Sequence, residues 1–151
     1  MKVFPKPVAT EPEEKELPIP KAEDIWISKT RSTKQIVVLA LYKHATKEGV
    51  WQLRTCGKST FGLLGQGKNE QESPKLRCVN FGFDLTSKPE VFVGFNHFMV
   101  RYEDKIYAWG CYSTDSEKQY QWTPTLVPYL SSPDLKVKQL CCGQNYTVAL
   151  C

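Results

Sequence analysis

Long apolar runs are missing from this 151-residue sequence, and none approaches the roughly 20 residues that a helix needs to cross a bilayer. A secretory leader is also absent from the amino-terminal stretch: Glu11, Glu13, Glu14 and Glu16 stand where an apolar core or an acid-poor transit peptide would lie. No membrane partner is implied, and a cytoplasmic or nuclear location is expected. Histidine is scarce, with only His44 and His97, 53 residues apart, and no two of the six cysteines form a Cys-x-x-Cys pair. Metal-ligand spacing is therefore missing, and reduced thiols buried in strands as small apolar groups are expected. No Ser-His-Asp, Cys-His or paired-carboxylate arrangement can be anchored by spacing, so a non-enzymatic protein without cofactor is expected.

Strong charge of one sign is lacking as well. The net charge of +4 is spread so that residues 1–24 hold four lysines against six acidic residues, leaving 16 basic and 10 acidic residues in the remainder. That mild excess is no basic stripe, and it does not point to a nucleic-acid partner. What the chain does have is 41% apolar and 12% aromatic residues, enough for the core of a folded domain.

Five of the ten prolines (Pro5, Pro7, Pro12, Pro18 and Pro20) fall in residues 1–24, which show neither helical nor strand periodicity. Proline fixes φ and removes an amide donor, so an extended tail is expected there. From Ile25 onward the texture is short β-branched and aromatic runs, 25–27, 36–42, 50–53, 98–102 and 106–110, with two runs that open on a proline and then alternate, 73–81 and 122–128. Lys47-Glu48-Gly49 and Glu103-Asp104-Lys105 are turn signals between them. The run Gly62-Leu63-Leu64-Gly65-Gln66-Gly67 looks like a phosphate cradle, but Gly67-Lys68 is followed by Asn69 and no helical period succeeds it. Tight turning, or close approach by another backbone, explains that density of glycine better.

A repeat organises the second half. Aligned on Gly94 and Gly143, 49 residues apart, both segments read as an apolar run, Gly, any residue, Asn, a ring (His97 or Tyr146), then a second apolar run. The order Gly-x-Asn-His, apolar strand, acidic turn, Ile-Tyr-Ala-Trp-Gly, loop, Thr-Pro, apolar strand, Gly-x-Asn-Tyr over Gly94–Tyr146 resembles the repeat of the regulator of chromosome condensation family. In the first unit, Gly49-Val50-Trp51 and Cys56 to Gly67 look like that family's Trp-Gly-x-Asn-x-x-Gly-Gln-Leu-Gly segment, slightly scrambled. The resemblance covers about 25–150.

It implies an all-β fold: a partial β-propeller of two to three antiparallel four-stranded blades, part of a seven-bladed ring, behind the tail. The first repeat spans about 25–81 and the second about 89–130, while the third begins near 135 and is incomplete. Such an arc either continues past Cys151 or is completed by a partner. Trp51, Gly57, Gly94, His97, Trp109, Gly110, Gly143 and Tyr146 are the expected structural anchors, with glycines where backbone is crowded and Trp51, Trp109 and Trp122 filling the wedges between blades. Lys34 and Val37 stand in the first unit where later units have glycine and His or Tyr. His97 could serve as a general base, but its counterpart Tyr146 could not at neutral pH, so packing and tethering is the expected role of both rings.

For function, the expectation is a protein-interaction scaffold that binds a protein partner through its blade loops and tail, with Tyr112, Lys118, Tyr120 and Trp122 as the candidate partner-binding loop. The resemblance also implies two alternatives: nucleotide exchange on a Ran-type small GTPase, and a chromatin-associated reader.

Overall fold

The computed structural model describes residues 21–30, 34–67, 70–112 and 120–151; the expected tail lies almost wholly outside them. The chain is all-β, in three antiparallel sheets. The first holds β1 (Asp24–Lys29), β2 (Ile36–Lys43), β3 (Trp51–Lys58) and β4 (Glu72–Cys78) in sequential order. The second repeats the meander with β5 (Glu90–Val93), β6 (His97–Tyr102), β7 (Lys105–Gly110) and β8 (Gln121–Leu126). The third contains β9 (Gln139–Cys142) and β10 (Thr147–Leu150). These are two four-stranded propeller blades and a two-stranded sheet that repeats the β5–β6 pair.

Each blade is closed by local chemistry. Gly49 takes φ +73 in the turn between β2 and β3, as its place beside Lys47-Glu48 predicts. Between β6 and β7 the loop is only Glu103-Asp104, and Glu103 adopts φ +54 to close it. Gly57 and Gly110 have φ +119 and +92. At both, the ladder to the fourth strand shifts register, between Thr55 and Gly57 and between Ala108 and Gly110. A side chain at Gly110 would sit 2.5 Å from the Asn96 carbonyl oxygen, and one at Gly57 would strike the Ile36 carbonyl. Only glycine suits either site.

The core lies between blades. The alternation of β6 sends Phe98, Val100 and Tyr102 toward the first blade, where they meet Leu39, Leu41, Leu53 and Leu63. Met99 faces the other way, joining Ile106, Ala108 and Leu140 beneath the third sheet. The second blade is therefore buried on both faces, whereas Ile25 and Ile27 on the first sheet and Val148 and Leu150 on the third are more than half exposed.

The connection at residues 82–89 is pinned. Trp51 N–H donates to the Leu85 carbonyl (2.7 Å), Leu85 is buried, and Thr86 N–H donates to the Tyr102 hydroxyl (3.0 Å). The thiols depart from expectation: none of the six is in a disulfide, but Cys78, Cys141 and Cys151 are exposed and Cys56, Cys111 and Cys142 only half-buried.

Candidate protein-binding face

The Gly-x-Asn-ring motif is the seam between blades. In the second unit, Gly94 N–H donates to the His97 carbonyl (2.9 Å), and in the third, Gly143 N–H donates to the Tyr146 carbonyl (2.8 Å). Each ring then folds back over its own glycine. A Cβ on Gly94 would lie 2.8 Å from His97 Cε1, and one on Gly143 would overlap the Tyr146 ring. Glycine is thus demanded by the ring three residues on, a more specific cause than general crowding.

The motif also reaches across. Phe95 N–H donates to the Gly143 carbonyl (3.2 Å), Asn96 Nδ2 donates to Asn145 Oδ1, and His97 Nε2 lies 2.8 Å from Thr147 Oγ1. On the other side Ser28 Oγ donates to the Gly94 carbonyl (2.9 Å), with the Phe95 carbonyl at the same distance. Gly57 lies against Ile36 and Val37 as Gly110 lies against Asn96 and His97, so Val37 is the counterpart of His97. Ser28, which pairs with Val37, replaces the glycine in the first unit; Lys34 does not. No ring folds back there, so a Cβ is tolerated and its hydroxyl serves as the tether. Gly94→Ala should cost about 2 kcal/mol by overpacking the seam, read as a lower urea midpoint with unchanged m-value.

His97 is fully buried, and burial lowers its pKa to about 4, with the Gln144 backbone opposing part of that shift. Its Nδ1 has no hydrogen-bond partner. The neutral ring, bonded to Thr147, ties the second sheet to the third.

Trp109 is the inter-blade wedge. It is fully buried, stacks edge-on against Phe98 and Phe81, and donates from Nε1 to the Leu63 carbonyl of the first blade (2.9 Å). The glycine run receives it: a Cβ on Gly65 would sit 2.9 Å from Trp109 Nε1, and one on Gly62 would sit 2.6 Å from the Gln121 carbonyl oxygen. The segment that resembles a phosphate cradle is thus a seat for the next blade. Trp51 is not the first-blade equivalent of Trp109. Cys56, immediately before Gly57, holds that place, and Trp51 lies half-buried at the start of β3. Trp122 is likewise no wedge; it is half-buried on β8 and accepts at its carbonyl from Gly67 N–H (3.0 Å).

Of the expected binding loop, Lys118 lies outside the described residues. Tyr112 is half-buried, with its phenol pKa raised by burial, and Tyr120 packs edge-on against Phe61 of the first blade (5.5 Å between centroids). The feet of this loop are thus occupied by inter-blade packing.

The opposite end of the blades presents a different surface. Phe83 is 43% exposed and rests on Tyr107 (5.5 Å), Tyr102 (5.8 Å) and Phe81 (5.8 Å), continuing a chain of rings that runs inward to Trp109. Tyr107 has its pKa raised by burial and by nearby Glu103 and Tyr102. Beside it a cavity of about 550 Å³ is lined by Trp51, Leu53, Phe81, Phe83 and Leu85 among others. The ammonium groups of Lys43 and Lys88 lie 5.6 and 5.7 Å from the Trp51 ring centre. Lys47 pairs with Asp84 of the loop at 2.7 Å. Phe81-x-Phe83 in a connection bounded by polar residues was the sequence signal for this patch.

No family model and no curated protein matches the chain. Among solved structures, the crystal structure of human WBSCR16, a β-propeller-like protein, aligns with a TM-score of 0.63 at 18% identity. The alignment covers 88% of this chain and 32% of that one, so the chain spans about a third of that protein's length. At such identity the likeness is one of fold.

Proposed function

We propose that the chain carries divergent repeats of the regulator of chromosome condensation type and acts as a non-enzymatic protein-interaction module. The observation that supports this reading is the rigid aromatic patch around Phe83. Exposed aromatic side chains on a pinned connection offer large contact area at little entropic cost, as the centres of protein interfaces do. The lysines flanking Trp51 are paired with Glu23 and Asp24 (3.6 and 3.3 Å), so the rings carry the proposed contact.

The test is quantitative capture of a crosslinked partner by wild type and by Phe83→Ser. Because Phe83 is substantially exposed, the variant should keep its unfolding midpoint while affinity for the captured protein falls by about tenfold or more. Unchanged affinity would remove this face from the reading. Acceleration of labelled-GDP release from a Ran-type GTPase would replace the scaffold with an exchange factor.

A further inference from the structure

Serine or threonine stands before proline at Ser73, Thr123 and Ser132. Such dipeptides suit a kinase cleft that takes its substrate extended, because proline drives the residue before it into the extended region and brings no N–H that the cleft must satisfy. The fold treats these hydroxyls differently. Ser73 lies on β4, is 1% exposed and donates from Oγ to the Lys75 carbonyl (2.8 Å). Thr123 is half-buried within β8, which is laddered to β7. A kinase could reach either only by stripping the outer strand from its blade.

Ser132 stands outside every ladder, in the connection from β8 to β9. Its backbone is already extended, at φ −66 and ψ 136, and Pro133 and Asp134 beside it are exposed. The turn of 3₁₀-helix before it, Tyr129–Ser131, has no buried residue, so opening it costs little. The neighbouring hydroxyl is committed, since Ser131 Oγ accepts from Ile106 N–H (3.0 Å), whereas Ser132 Oγ meets the Asp134 N–H at 3.4 Å.

The first unit shows what a negative charge does at this place. Val79 N–H donates to the Leu53 carbonyl and Val127 N–H to the Ile106 carbonyl (both 2.8 Å), so the two valines are equivalent. Asp84 and Ser132 each follow by five residues. Asp84 pairs at 2.7 Å with Lys47 of the turn between β2 and β3. The matching turn, between β6 and β7, is Glu103-Asp104 followed by Lys105, and Lys105 has no ion pair among the described residues. Lys105 and Ser132 line one cavity of about 670 Å³, where Lys105 and Lys136 balance Glu103 and Asp104. A dianion on Ser132 would therefore meet an unpaired ammonium and no excess of like charge.

We infer that Ser132 is a phosphoacceptor for a proline-directed serine/threonine kinase, and that its phosphate pairs with Lys105 as Asp84 pairs with Lys47. In the transfer, Ser132 Oγ bonds to the γ-phosphorus of ATP as the bridging P–O bond breaks. ADP leaves with that electron pair, and the hydroxyl proton passes to the kinase's carboxylate base. The connection carrying Ser132 is the counterpart of the one carrying Phe83, so the phosphate would stand on the same end of the blades. The acceptor assignment does not rest on the binding role of Phe83, because incorporation is measured with no partner present.

The intact chain is incubated with ATP and, in parallel, with a purified mitogen-activated kinase and a purified cyclin-dependent kinase. Intact mass should show one phosphoryl group per chain, and peptide fragmentation should place it on Ser132. Ser132→Ala should lose it while keeping the wild-type urea midpoint. Phosphorylation should raise the urea midpoint of the wild type, and Lys105→Gln should remove that rise without lowering incorporation. Phe83→Ser should accept the phosphate as fully as the wild type, so failure of the aromatic patch leaves this site standing. The inference is overturned if neither kinase modifies Ser132, if Ser73 or Thr123 is modified in its place, or if the midpoint responds equally in the Lys105→Gln chain.

Discussion

Trp109→Ala should lower the unfolding free energy by about 3 to 5 kcal/mol, the range for emptying a buried large aromatic site. Trp109 is fully buried, packs on Phe98 at 5.6 Å and Phe81 at 6.0 Å between ring centroids, and has its indole N–H on the Leu63 carbonyl. Relaxation is limited because backbone surrounds the site: Gly65 lies beneath the indole, and the Gly62–Gly67 segment is held by bonds from Gly67 N–H to Trp122 and from Asn80 N–H to Gly65. Trp109→Phe would keep most of the packing but strand the Leu63 carbonyl, a loss of about 1 to 3 kcal/mol. Urea titration at neutral pH measures both. Since Trp109 is the main side chain joining the first two blades, the Ala variant should also broaden the transition or split it between probes on separate blades. A loss below about 1 kcal/mol would mean the blades are held by their aliphatic core alone.

The blades themselves were legible before any coordinates. Runs such as Ile36 to Tyr42 and Phe98 to Tyr102 announce strands because their residue types suit a pleated, buried surface, and both are strands, whereas the run ending at Phe81 leaves its strand at Cys78. The repeat from Gly94 to Tyr146 carried the architecture, because a ring three residues after a glycine leaves the same trace twice. Equivalences in the first unit were less legible. Its hairpin between β1 and β2 is longer, the ladder running on to Lys29 and Ile36 beyond the Ser28–Val37 pair, and that length hides Ser28 as the glycine's substitute. Trp51 misled for a related reason. A tryptophan near a glycine matches the repeat by composition, yet only the register on Gly57 shows that Cys56 holds the wedge position.

The Phe83 patch was hidden for a different reason. Residues 79–89 have no period, and what makes them a surface is long-range: Leu85 bonded to Trp51, Thr86 to Tyr102, and rings contributed by β6 and β7. A loop becomes a binding platform only when distant elements immobilise it. The expected loop at Tyr112 to Trp122 shows the converse, since its described aromatic residues pack against the neighbouring blade or within the seam.

Stability should fall as pH drops from 6.5 to 4, by about 3 kcal/mol in all, and His97 should carry that loss. Its pKa is 6.5 when unfolded and about 4 in the fold. Above pH 6.5 the ring is neutral in both states and contributes no slope. Between the two values the unfolded chain binds a proton that the folded chain refuses, so stability declines by about 1.4 kcal/mol per pH unit. Below 4 both states are protonated and the slope ends. The structural cause is specific. His97 Nε2 lies 2.8 Å from Thr147 Oγ1, and Nδ1 is buried without a hydrogen-bond partner. A proton there would place an unpaired charge between two blades. The Cys142 thiol, 3.7 Å from Thr147 Oγ1, has its own pKa raised by burial and offers no counter-charge. The ion pairs of Glu23, Asp24, Glu70, Glu72, Asp84 and Glu90 are largely solvated, and pairs of that kind contribute little. His97→Gln, which retains a donor toward Thr147 but cannot titrate, should flatten the profile between pH 6.5 and 4. Urea midpoints across that window decide the matter, and a slope that persists in the Gln variant would assign the proton to another group.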